Sequence, residues 1–250
     1  MKENLAYLPA ENAYIEELAK TNSDDVSISN LRGILDLGQD KQNEIVLDLV
    51  SSTNRYKINR NNSSPRVKVA WSVIEKFFSD KNAFLKRENL IPLVYGSVVF
   101  DDPCNLDYDL VLVSESQREV EDIIQTQWVD EMEDLWKKVG IGGHFSYTSL
   151  DKIKMDCSAF NHGWSKYVRE YAEMIDVDFL NASVYFTGEL AIPNNESLTK
   201  VNYLKETLFG FAQKTPILMA TIINCLQHTI VTREIRRNSL APHQVSELYK

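Results

Sequence analysis

Two short apolar runs near the middle of the chain limit the fold most. "LIPLVYG" at 90–96 and "DYDLVLV" at 107–113 are rich in Val and Leu, are of strand length, and are separated by a segment containing Pro and Asn. Runs of this kind predict two strands of one sheet. Before them, Ala70, Val73, Ile74, Phe77 and Phe78 recur at helical spacing, which predicts a helix from Val67 with one face to lay on that sheet. After them, Ser114 and Gln117 have the spacing of a capping box and predict a helix start at Ser114. Its apolar stripe is Val120, Ile123, Ile124, Trp128, Met132, Leu135, Trp136 and Val139, with Gly140 placed to end it. "HFSYTSL" at 144–150 alternates as a third strand.

The flanks read differently. "SSTNRYKINRNNSSPR" at 51–66 loses apolar periodicity and gathers Ser and Asn, which predicts a loop or linker. Residues 164–176 read as a helix, "SVYFTG" at 183–188 as a further strand, and the chain from 199 onward as helical, with Thr215 and Pro216 as N-cap and first-turn proline. The fold class is therefore α+β, a small mixed sheet flanked by helices with a helical C-terminal part. Three stretches follow: an N-terminal helical segment and linker at 1–65, an α/β domain at 66–190 and a helical region at 191–250.

Composition narrows the partners. A formal charge of −9 argues against a general nucleic-acid surface, because nonspecific affinity for polyanions comes from clustered Lys and Arg. Three cysteines, Cys104, Cys157 and Cys225, are few, odd in number and far apart, so neither a disulfide framework nor a metal knuckle is expected. "MKENLAYLPAENAYIEELAK" lacks the basic and apolar order of a secretory signal and reads as an amphipathic helix. "PILMATIINCL" at 216–226 falls short of the roughly 18 residues that span a bilayer and reads as a core helix. These features predict a cytoplasmic protein with no membrane partner.

The chemistry gathers at the two central strands. Asp107 and Asp109 are two apart in a strand, so their carboxylates share a face and repel unless a cation lies between them. Mg²⁺ suits such a pair, since it takes one or two carboxylates and leaves positions for phosphate oxygens. Gly96 and Ser97 close the preceding strand, where a glycine lets main chain approach phosphate without a Cβ in the way.

A strand ending Gly96-Ser97, nine intervening residues, then Asp107-Tyr108-Asp109 followed by Leu110-Val111-Leu112-Val113, resembles the signature of the nucleotidyltransferase-fold superfamily. That superfamily includes DNA polymerase beta, aminoglycoside nucleotidyltransferases and minimal nucleotidyltransferases. The resemblance covers residues 90–113. It implies that Gly96 and Ser97 contact the triphosphate and that Asp107 and Asp109 hold two Mg²⁺ ions. The implied reaction transfers a nucleoside monophosphate from a nucleoside triphosphate to an acceptor hydroxyl and releases pyrophosphate. The acceptor is open, the acidic composition suiting a cationic small molecule such as an aminoglycoside better than nucleic acid.

The family usually carries a third carboxylate on a later strand, where 144–150 offers His144, Ser146 and Thr148 instead, with Asp151 and Asp178 as nearby candidates. This departure motivates an alternative of another class: a nucleotide-binding regulatory module of feeble activity, such as one half of a toxin–antitoxin-type pair. Among weaker features, "DVD" at 176–178 reads as a helix end, and His228 as a core histidine. Trp164, Tyr167, Tyr171 and Tyr185 read as core aromatics in preference to base-stacking groups.

Overall fold

The computed structural model describes residues 33–34, 36–57, 60, 63–100, 107–120, 123–140, 142–160 and 182–239. Among the described residues, α1 (Gln39–Tyr56), α2 (Pro65–Asp80) and α3 (Asn82–Glu88) lead into the sheet. Then come β1 (Ile91–Tyr95), a 3₁₀ turn (Gly96–Phe100), β2 (Asp107–Ser114), a π-helical turn (Ile124–Trp128), α4 (Val129–Val139), β3 (Gly142–Ser149) and α5 (Leu150–Phe160). The described chain closes with α6 (Val184–Thr187), β4 (Glu189–Leu190), α7 (Asn195–Ala212) and α8 (Pro216–Ser239).

The strands form one sheet in the order β3-β2-β1-β4. β1 runs antiparallel to both neighbours, whereas β3 is parallel to β2 and is reached by the crossover through α4. The architecture is thus a mixed α+β fold with helices on both faces. Strand alternation divides the core accordingly. Leu93, Val111 and Val113 belong to a cluster with Val46 and Leu49 of α1, Leu204 and Leu208 of α7, and Ile222, Ile223 and Leu226 of α8. Val94, Leu110 and Leu112 belong to a second cluster with Ile74, Phe77 and Phe78 of α2 and Met132 and Trp136 of α4. On that second face Trp128 stacks on Phe145 at 6.2 Å and 9°, and Phe77 meets Phe78 edge-on at 5.1 Å.

Several local expectations hold. The helix expected from Val67 forms as α2 and starts two residues earlier, at Pro65, with Ser64 accepting from the Val67 N–H as its cap. Gly140 ends α4 at φ 69°, and Pro216 opens α8, whose "PILMATIINCL" stretch buries Leu218, Met219, Ala220, Ile222, Ile223 and Leu226. Tyr185 is fully buried, as a core aromatic.

Three expectations are corrected. Residues 51–56 continue α1 instead of opening a linker, because Thr53 is buried with its hydroxyl donating to the Leu49 carbonyl at 2.8 Å, which keeps a polar tract helical. The capping box at Ser114 does not form. β2 runs through Ser114, whose hydroxyl donates to the Ser116 carbonyl at 2.8 Å and meets the Tyr147 phenol at 3.1 Å, and helical backbone is described only from Ile123 onward. The strand expected at 183–188 is the short helix α6, and the extended pair is Glu189–Leu190. Val184, Tyr185, Phe186 and Thr187 are all buried, and a β-branched and aromatic run buried on every side satisfies a helix as well as a strand. The helix expected at 164–176 and the "DVD" at 176–178 lie outside the described residues, as does the His228 side chain.

Candidate functional site

Antiparallel pairing brings the end of β1 to the start of β2. The register sets Tyr95 opposite Asp109, so Gly96 follows beside the first residues of β2. Gly96 takes φ 73°, in the left-handed region that side chains with a Cβ rarely adopt, and from there the chain turns into the 3₁₀ segment. A Cβ at Gly96 would lie 1.9 Å from Oδ2 of Asp109 and 2.9 Å from its Cγ. The space a side chain would fill is therefore taken by the Asp109 carboxylate. The sequence assigned that absent Cβ to the approach of phosphate; in the fold it first admits the aspartate.

Asp107 is the first residue of β2, two positions before Asp109, and Ser97 is the second residue of the turn. Their backbones thus stand at the same end of the sheet as Gly96 and Asp109, while the side chains of Ser97 and Asp107 lie outside the described atoms.

Two neighbours of Asp109 were not read as site residues from the sequence. Across β1 stands Tyr95, whose phenol is held well above its usual range by burial first and by the Asp109 charge second, with a hydrogen bond to Ser146 opposing the rise. Across β3 stands His144, level with Asp109 in the parallel register and exposed. The row Tyr95, Asp109, His144 therefore crosses three strands. Nothing local marks Tyr95 in the sequence, because its place beside Asp109 arises only from strand pairing.

The third-carboxylate candidates divide plainly. Asp151 opens α5 beyond the far end of β3, where its N–H donates to the Glu115 carbonyl at 3.1 Å and its carboxylate lies 4.0 Å from Lys154 Nζ. Six residues of mostly extended chain lie between it and His144, about 20 Å at strand rise. Asp151 thus stands apart from Asp109, and Asp178 lies outside the described residues. Among the described residues no group of three or more His, Cys, Asp or Glu side chains could hold a metal by itself. The donors gathered near Asp109 are oxygens, the Tyr95 phenol and the Ser146 hydroxyl, with one imidazole at the rim, a set that fits a hard cation supplied with further phosphate or water ligands.

In comparisons with known proteins, no family model matches the chain, and no curated protein or solved structure matches it significantly. Among the described residues no helix is long and apolar enough to cross a membrane.

Proposed function

We propose that the protein is a Mg²⁺-dependent nucleotidyltransferase that moves a nucleoside monophosphate from a nucleoside triphosphate to an acceptor hydroxyl. The observation that carries this reading is the seating of the Asp109 carboxylate against Gly96, which joins a metal-binding oxygen to the main-chain corner at one end of the sheet. In this reading Asp107 and Asp109 hold the cations, and the Gly96 and Ser97 main chain receives the triphosphate. Mg²⁺, when bound, neutralises charge on the transferring phosphoryl group and orients the attacking and leaving oxygens. Tyr95 keeps a neutral phenol beside Asp109, so it serves as a hydrogen-bonding group in preference to a charged one. The acceptor is proposed to be a small cationic molecule, on the acidic composition, and the setting the cytoplasm, on the three scattered cysteines.

A second reading rests on His144. At the position level with Asp109 the neighbouring strand carries an imidazole instead of a carboxylate, which favours a nucleotide-binding module with little turnover. Pyrophosphate release from nucleoside triphosphates over a panel of hydroxyl acceptors, with and without Mg²⁺, separates the two. Metal-dependent release lost in Asp107→Asn/Asp109→Asn upholds the transferase. Binding without release across the panel supports the module.

A further inference from the structure

A second polar cluster lies at the β4 edge of the sheet. Arg60 is at its centre, stacked over the Trp71 ring at 3.5 Å and donating to the Leu190 carbonyl. Its guanidinium engages both nearby carboxylates, Glu75 at 2.9 Å through Nη1 and Glu189 at 3.7 Å through Nε. Two lysines share what remains. Lys57, just past α1, reaches the Gly188 carbonyl at 3.5 Å, and Lys205 of α7 lies close enough for its charge to act on Lys57, while both feel Glu189.

The charges do not balance. Among the described residues three cations, Lys57, Arg60 and Lys205, meet two carboxylates, Glu75 and Glu189, both already engaged by Arg60. Both lysines are half-buried. Partly desolvated ammonium groups without carboxylates of their own are costly, since buried charges are ordinarily paired. Burial accordingly lowers both ammonium groups, Lys57 to about 8, with the Lys205 charge adding to the effect on Lys57. Capping the carbonyls of an edge strand accounts for Arg60 and for one bond of Lys57, but it leaves the second lysine unexplained.

The place is informative as well. β1 pairs with β4 so that Leu93 faces Leu190 and Val94 faces Glu189, which brings Gly188 level with Tyr95, the neighbour of Asp109. Lys57 is thus held at the end of the sheet that carries the Gly96 corner.

We propose that Lys57 and Lys205 form the cationic half of an oxyanion site at the β4 edge that takes a phosphate group. Two compact ammonium charges suit a multiply charged tetrahedral anion, for which lysine is a common point-charge ligand. This inference goes beyond the metal-site reading and stands if that reading fails.

The test is calorimetric titration of the full chain with inorganic tripolyphosphate in EDTA, so that no divalent metal contributes. One saturable equivalent is expected, weakened about tenfold or more in Lys57→Met and in Lys205→Met and unchanged in Asp107→Asn/Asp109→Asn. Methionine keeps the packed stem while removing the desolvated charge. A measurement on the unmutated chain needs no variant to fold: tripolyphosphate is expected to protect Lys57 and Lys205 from acetic anhydride, read by mass spectrometry. No saturable binding, equal binding by the lysine variants, or equal labelling with and without tripolyphosphate overturns the proposal. Displacement of tripolyphosphate by ATP with Mg²⁺ assigns the site to the phosphates of the nucleotide. Simultaneous binding assigns it to a separate phosphorylated ligand, and either result upholds the site.

Discussion

A methyl group on Gly96 would stand 1.9 Å from Oδ2 of Asp109, far inside the 3.0 Å that real Cβ contacts respect. The glycine and the aspartate are therefore matched: a side chain at Gly96 and the Asp109 carboxylate cannot occupy the same space.

Gly96→Ala tests this coupling against a control in the same chain. Gly140 has nearly the same φ, 69° against 73°, but nothing within 4 Å of its Cβ direction. Gly140→Ala is expected to lose only the left-handed cost, about 1 kcal/mol in urea denaturation. Gly96→Ala is expected to lose about 2 kcal/mol or more and, in addition, metal-dependent nucleotide binding. Equal losses in the two variants contradict the contact.

Asp109→Asn keeps volume and removes charge. Turnover is expected to fall by about 10²-fold or more, with melting temperature little changed, because the site loses charge compensation for the cation and not its packing. Pyrophosphate release and thermal melting of the same preparation check both halves.

These outcomes indicate which parts of the molecule local sequence encodes. The apolar periods around Ile74 and Leu110 are short-range signals, and so is the Gly140 stop, which is why the body of α2, β2 and the end of α4 are legible without coordinates. Ser114 shows the opposite case. Its local spacing with Gln117 suggests a cap, yet its hydroxyl is engaged by Tyr147, 33 residues away on the neighbouring strand. The row Tyr95, Asp109, His144 is illegible for the same reason, since it depends on one antiparallel and one parallel register that no window of sequence contains. The cluster of Lys57, Arg60, Glu189 and Lys205 draws on segments up to 148 positions apart, and each member alone reads as an ordinary surface charge.

Lys57 sets a pH dependence of definite sign. Its folded pKa is lowered, from 10.5 to about 8, so between these values the unfolded chain binds a proton that the folded chain does not. The Lys57 contribution to stability is expected to rise with pH across this window, the penalty being complete below it. Lys205 acts in the same direction, while Cys225, its thiol pushed up to about 12 by burial, and Tyr95, held neutral by the fold, act in the opposite one once free thiols and tyrosines ionise, at about pH 8.5 and about pH 10. Because those groups act in both proteins, the measurement is the difference: between about pH 8 and 10 the urea midpoint of the unmutated chain should gain steadily on that of Lys57→Met, and a difference that does not change with pH contradicts the assignment.

Thr148 is fully buried on β3, and its hydroxyl has no hydrogen-bond partner among the described residues. Thr148→Val replaces that hydroxyl with a methyl of similar size and is expected to be neutral or to stabilise by up to about 1 kcal/mol. A loss greater than that, measured by urea denaturation, would reveal a bond that the hydroxyl makes.

The proposed chemistry depends most on the end of the sheet where β1 turns at Gly96 and β2 begins at Asp107. Its most direct measurement is calorimetric binding of a nonhydrolysable nucleoside triphosphate to the full chain, with Mg²⁺ and with EDTA, for the unmutated protein and for Asp107→Asn/Asp109→Asn. Binding is expected to be strengthened by Mg²⁺ in the unmutated chain and to lose this strengthening in the variant. Binding indifferent to Mg²⁺, or equally strengthened in both proteins, would contradict it.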